Sequence, residues 1–215
     1  MKKNISFILF TMFTILLLVT SCGKDDNPTN PKEEEKENAT GTFTDSRDNK
    51  TYKWVEIGDQ IWMAENLAYK PSSGKYWAYA NDESNVAIYG YLYDWETAQN
   101  VAPTGWHLPT DAEWKKLLDT IGKKAANAMK ETGTEYWSSP NAGSTNSSKF
   151  NARAGGYLFY SDIKFYYLKE RTYWWSSTEK DNRYAWRVAV FYNSEYEEHY
   201  YSNKGDGFSV RCIKD

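Results

Sequence analysis

Cysteine and histidine are nearly absent from this 215-residue chain: two Cys, Cys22 and Cys212, and two His, His107 and His199. The first cysteine closes an N-terminal apolar segment, so the rest of the chain holds one thiol and forms no disulfide of its own. Two dispersed histidines are too few for a recognisable histidine zinc site. Clustered positive charge is missing too. The net charge is −3, and residues 41–215 contribute only −2 of it, which makes a poor nucleic-acid binder. No Gly-rich phosphate loop and no Gly-x-Ser-x-Gly elbow occurs.

Aromatic residues are abundant, at 17% of the chain with 18 Tyr and 10 Trp. A domain of about 170 residues supports one core, and so many rings exceed what it is expected to bury. Sugar rings stack on Trp and Tyr faces while Asn, Asp and Arg bond their hydroxyls, so surplus loop aromatics suit a glycan ligand. Tyr76, Trp77 and Tyr79 in a first long loop, Trp137 in a second, Tyr166 and Tyr167, and Tyr196, Tyr200 and Tyr201 are the candidates. The alternative is that these rings pad a loop-rich fold. Trp54, Trp62, Trp95, Trp106, Trp114, Trp174, Trp175 and Trp186 are expected in the core.

The N-terminus reads as an address. Lys2-Lys3 and an apolar run from Ile5 to Val19 form a secretory n-region and h-region. The run ends in Val19-Thr20-Ser21-Cys22, which resembles a bacterial lipobox whose cysteine is acylated; the alternative is an uncleaved membrane anchor. Lys24-Asp25-Asp26 looks like the acidic export signal of Bacteroidota lipoproteins, which implies an outer-membrane protein facing the exterior; a plain solvated tether is the other reading. Residues 1–22 are thus expected to be a signal peptide, 23–41 an acidic tether without apolar periodicity, and 42–215 the folded domain.

Within the domain, Thr51 to Ile57 alternates, Gly58-Asp59 signals a hairpin, and Gln60 to Met63 returns. Asp94 is placed to cap a short helix reaching Asn100. Thr110 and Glu113 have capping-box spacing, followed by an apolar stripe of Trp114, Leu117, Leu118 and Ile121 that ends at Gly122. Lys123 to Lys130 can add a helical turn. Thr172 to Thr178, Tyr184 to Tyr192 and Gly207 to Ile213 read as strands, with Trp186, Val188, Val190 and Tyr192 on one face. Strands around a central helix pair argue for an α+β fold with short antiparallel sheets, two or three helices and long loops.

Six ordered blocks carry a family resemblance. They are Asp45-Ser46-Arg47-Asp48, Trp62-Met63-Ala64-Glu65-Asn66-Leu67, Tyr89-Gly90-Tyr91-Leu92-Tyr93-Asp94-Trp95, Gly105 to Trp114, Trp174-Trp175-Ser176-Ser177-Thr178-Glu179 and Gly207-Phe208-Ser209-Val210-Arg211-Cys212. Together they resemble the Fibrobacter succinogenes major paralogous domain of exported Bacteroidota and Fibrobacterota lipoproteins, over essentially all of 43–215. His107 to Trp114 also looks like a segment of the formylglycine-generating family. That likeness implies a C-type-lectin-like single domain.

The first resemblance brings no catalytic residues. The copper-binding cysteine pair of the oxidases is reduced here to Cys212, expected to be a small buried hydrophobe rather than a reactive thiol. The calcium-binding triplets of C-type lectins are absent, and His107 is expected to be a satisfied structural imidazole. The expectation is a non-catalytic, cofactor-free and metal-free surface lipoprotein. Its partners would be the membrane through Cys22 and an extracellular carbohydrate or glycoconjugate. The alternatives are a protein–protein or structural module of the cell surface, and a hydrolase using a carboxylate pair.

Overall fold

The structure, a computed structural model, describes residues 37–215. The proposed signal peptide, the Cys22 lipidation site and the tether up to Lys36 lie outside the described residues.

The chain opens with β1 (Thr40–Thr44), β2 (Thr51–Ile57) and β3 (Gln60–Met63), an antiparallel ribbon that begins inside the stretch read as tether. Next come β4 (Tyr76–Trp77), α1 (Val86–Tyr89), β5 (Leu92–Tyr93), α2 (Trp95–Ala98), β6 (Trp106–His107), α3 (Asp111–Ile121) and α4 (Ala125–Met129). The C-terminal part supplies β7 (Gly155–Phe159), β8 (Lys164–Leu168), β9 (Arg171–Glu179), β10 (Tyr184–Phe191), β11 (Glu198–Asn203), β12 (Phe208–Ser209) and β13 (Ile213–Lys214). One sheet runs β1-β2-β3-β13-β6 and the other β11-β10-β9-β12-β5-β4, with the β7–β8 hairpin joined to β9 through β7. The β9–β12 and β7–β9 pairings are parallel; all others are antiparallel. The fold is α+β, as its element pattern predicts.

Local chemistry explains the elements that position the rest. Thr110 Oγ1 accepts from Glu113 N at 3.2 Å, and Glu113 Oε2 accepts from Thr110 N at 2.7 Å, which completes the capping box of α3. Asp94 caps α2 by accepting from Thr97 N at 3.0 Å. The expected C-terminal strand is split, because Val210–Cys212 crosses between the sheets: Leu67 N bonds Val210 O and Met63 N bonds Cys212 O, both at 2.9 Å. Among the described residues four α-helices stand where two or three were expected. Neither β7–β8 nor β11 is anticipated by the sequence.

Alternation sends neighbouring side chains of β2, β9 and β10 to opposite faces, so the described residues form two cores. One gathers Tyr52, Met63, Tyr93, Tyr173, Trp175, Phe208 and Cys212. The other packs Val55, Ile57, Trp62, Trp114, Phe150, Trp174, Val188 and Val190 under α3 and α4. Between the sheets Arg211 is 1% exposed. It donates to Asn66 Oδ1 at 3.1 and 2.8 Å, to Met63 O at 3.2 Å and to Phe150 O at 2.5 Å.

Candidate functional site

The site starts from an irregularity in β9. Its pairing with β10 runs from Arg171 to Trp175, opposite Phe191 to Arg187, and resumes at Glu179 opposite Ala185. The intervening Ser176–Thr178 bulge is held elsewhere. Ser177 N donates to Pro109 O at 2.7 Å, Asp111 N to Thr178 Oγ1 at 2.9 Å, and Trp95 Nε1 to Ser176 O at 2.8 Å. The bulge ties β9 to the starts of α2 and α3.

On β10 and β11, Trp186 stands opposite Tyr201 and Val188 opposite His199, so Tyr184, Trp186, His199 and Tyr201 share the face turned to α3. Their rings form a connected group. Trp186 lies 5.1 Å from His199, nearly parallel, and 5.9 Å edge-on from Tyr201, while Tyr184 sits 5.5 Å from Tyr201. At the sheet edge Tyr200 stacks on Tyr201 at 4.2 Å and is 50% exposed. None of these five residues belongs to either core.

Polar groups surround them. His199 Nε2 is hydrogen-bonded to Asp111 Oδ1, and Asp111 Oδ2 pairs with Lys115 at 2.7 Å. Lys115 Nζ lies 5.8 Å from the Trp186 ring, and Lys180 Nζ lies 5.5 Å from both Trp186 and Tyr201. Stacking surface ringed by donors and acceptors can hold a ligand with apolar faces and polar edges.

The aromatic candidates from sequence divide. Trp137 is corrected: at 1% exposure, with Nε1 donating to Ala152 O at 2.8 Å, it is core and offers no ring face to a ligand. Trp186 is corrected in the other direction, from core to half-exposed sheet face. Tyr76, Trp77, Tyr79 and Tyr166 gather around β4 and the β7–β8 hairpin. Tyr76 sits edge-on to Tyr91 at 5.3 Å, Trp77 packs against Gly207, and Tyr79 lies 5.2 Å from Phe165. Tyr166 donates its hydroxyl to Asp162 Oδ2 at 2.6 Å. Tyr76, Trp77, Tyr166 and Tyr200 occupy strands rather than loops. Tyr196, 59% exposed, is in the loop between β10 and β11.

Other chemistry-bearing residues are engaged structurally. Cys212 is fully buried, and burial pushes its thiol up to about 12. Burial alone would lower the His107 imidazole, but hydrogen bonds with Asp215 (2.7 Å) and Glu113 (2.9 Å) hold it above its ordinary value. Among the described residues no group of three His, Cys, Asp or Glu is placed to hold a metal ion.

Asp206, 6% exposed, accepts from Tyr160 N at 3.2 Å, and burial raises its carboxyl to about 6. A raised folded-state value means the native protein binds the extra proton, so this group's contribution falls as pH rises from about 4 to about 6. Asp206→Asn keeps an acceptor and cannot ionise. It is expected to match the parent in urea denaturation at pH 4 and to exceed it by about 2 kcal/mol at pH 7. An offset independent of pH would contradict this.

A sequence model of the Fibrobacter succinogenes major domain matches residues 55–214. No curated protein and no solved structure matches the chain. The end of β2 and all of β3 at one end of that match, the α3 corner within it and the β9–β12 strands toward its other end are the framework that carries the aromatic face. The chain therefore belongs to the Fibrobacter succinogenes major domain family.

Proposed function

We propose that this protein is a lipid-anchored binding module displayed on the bacterial outer membrane, which holds an extracellular carbohydrate on the β10–β11 face without transforming it. The C-type-lectin-like arrangement implied by the resemblance belongs to the same reading. The observation that carries it is the group of Tyr184, Trp186, Tyr200 and Tyr201, whose rings meet edge-on or stacked outside both cores. A pyranose presents axial C–H groups to such rings and hydroxyls to the surrounding Lys115, Lys180 and Asp111. The lipobox-like Cys22 and the acidic tether support display away from the membrane.

A glycan-array screen of the protein tests this, with Trp186→Ala as comparison. Reproducible binding is expected, weakened about tenfold by loss of the indole. Binding that is indifferent to Trp186 would place the ligand elsewhere, and silence across the array would remove the reading.

A specific feature favours a protein partner as the second reading. The tip of the β7–β8 hairpin exposes Phe159 (38%), Tyr160 (43%) and Ile163 (61%). Ile163 holds φ +54°, an unusual conformation for a β-branched residue. Capture of one defined surface protein by the parent but not by Ile163→Asp would favour this reading.

A further inference from the structure

Charge is divided unevenly over the β10–β11 face. At its His199 end the Asp111 carboxylate answers two neighbours, His199 Nε2 and the Lys115 ammonium at 2.7 Å, so the charge of Lys115 is already met. At its Tyr201 end stands Lys180, exposed, with its ammonium 5.5 Å from the Trp186 ring and 5.5 Å from the Tyr201 ring. The two carboxylates beside it in sequence are spoken for. Glu179 pairs with Lys204 at 2.5 Å, and Asp181 Oδ1 is turned into the β9–β10 turn, where it accepts from Arg183 N at 2.8 Å and Tyr184 N at 3.0 Å. Among the described residues no carboxylate pairs with Lys180.

That asymmetry bears on what the rings can hold. A ligand seated on Trp186 and Tyr201 takes water away from the ammonium that lies against both. An ammonium stripped of water and given no anion opposes binding. The two rings attract it, but through a quadrupole rather than a full charge. A neutral sugar offers only hydroxyl dipoles, whereas a sugar carrying its own anion supplies the missing partner as a charge-assisted hydrogen bond. The distance suits this, because Lys180 Nζ is within reach of a substituent on a pyranose stacked against the same indole. Asp111 disfavours an anion at the opposite end, which sets the direction of the ligand. Lysine presents a point charge rather than a planar fork, so a carboxylate and a sulfate ester are served alike.

We infer that the unit held on this face is an acidic sugar, a pyranose whose carboxylate or sulfate ester pairs with Lys180 while its ring rests on Trp186. The inference rests on the carbohydrate reading above and narrows it.

Its test titrates the protein, at low salt, with two matched pairs: an oligogalacturonate and its methyl ester, and a sulfated galactan oligosaccharide and its desulfated form. In at least one pair the acidic member is expected to bind about tenfold more tightly, and the pair that shows the difference identifies the group. The preference should shrink as added sodium chloride screens the charges. Lys180→Gln is expected to bring the ratio close to one by weakening the acidic member alone. Arg183→Gln, which removes an equal charge from the same turn, should leave the ratio as it is. Equal affinity within both pairs, a preference that survives Lys180→Gln, or equal losses in the two variants overturns the inference, as does array binding confined to neutral glycans. None of these outcomes removes the carbohydrate reading. Silence on the array and with all four oligosaccharides overturns that reading itself.

Discussion

Arg211→Met should cost about 3 kcal/mol of folding stability, a large share of the 5–15 kcal/mol typical of a domain. Two effects oppose each other. Burial pushes the guanidinium down to about 9, so removing the charge relieves about 5 kcal/mol. Against this, the guanidinium makes four charge-assisted hydrogen bonds, to Asn66 Oδ1 twice, Met63 O and Phe150 O, each worth about 2 kcal/mol. The bonds win, because their loss also strands two buried carbonyls. Asn66 is the shared node: its Oδ1 also accepts from Trp174 Nε1 at 2.9 Å, and its Nδ2 donates to Tyr89 O at 2.8 Å. The network links the strands that cross between the two sheets. Urea denaturation of Arg211→Met checks it, and an unchanged midpoint would show that the network contributes nothing net.

Lys130→Met is expected to cost a similar amount, about 3 kcal/mol, by the same balance. Lys130 is fully buried, and its ammonium donates to Ala142 O (2.8 Å), Phe191 O (3.1 Å) and Ser194 O (2.7 Å). Burial pulls the amine down to about 8, so replacing it relieves about 3 kcal/mol. Three charge-assisted bonds at about 2 kcal/mol each outweigh that relief. Methionine fills the volume but donates nothing. The damage should be local as well as global, since the three carbonyls belong to the segment after α4, the end of β10 and the turn toward β11. Amide exchange in residues 192–197 should accelerate more than in β9. Uniform acceleration, or no loss of stability, would contradict the assignment of Lys130 as a loop clasp.

Much of the framework was legible because its signals are local. The capping box at Thr110 and Glu113, the Gly58-Asp59 hairpin and the alternation of Tyr52, Val55 and Ile57 each depend on residues close in sequence, and each forms. The errors lie where tertiary context decides. Trp137 sits in a Ser-, Asn- and Gly-rich stretch that reads as surface, yet that stretch folds over the second core and buries the ring beside Ala152. Trp186 shares a strand face with buried Val188 and Val190, but the core ends short of it. β11 has no apolar alternation, because its two faces are both half-exposed. Arg211, between Val210 and Cys212, receives no place in the core from the sequence. The crossover between sheets turns it inward, and no pattern within one strand carries that information.

The ten tryptophans offer the most direct measurement. Six of them, Trp62, Trp95, Trp114, Trp137, Trp174 and Trp175, donate their indole N–H within the protein. Titrating the protein with the oligosaccharide that binds best, while following the indole N–H resonances, reports where the sugar sits. The Trp186 resonance should move first and furthest, and those of Trp62, Trp114, Trp137, Trp174 and Trp175 should stay in place. A saturable titration that leaves Trp186 unmoved would contradict a carbohydrate site on the β10–β11 face.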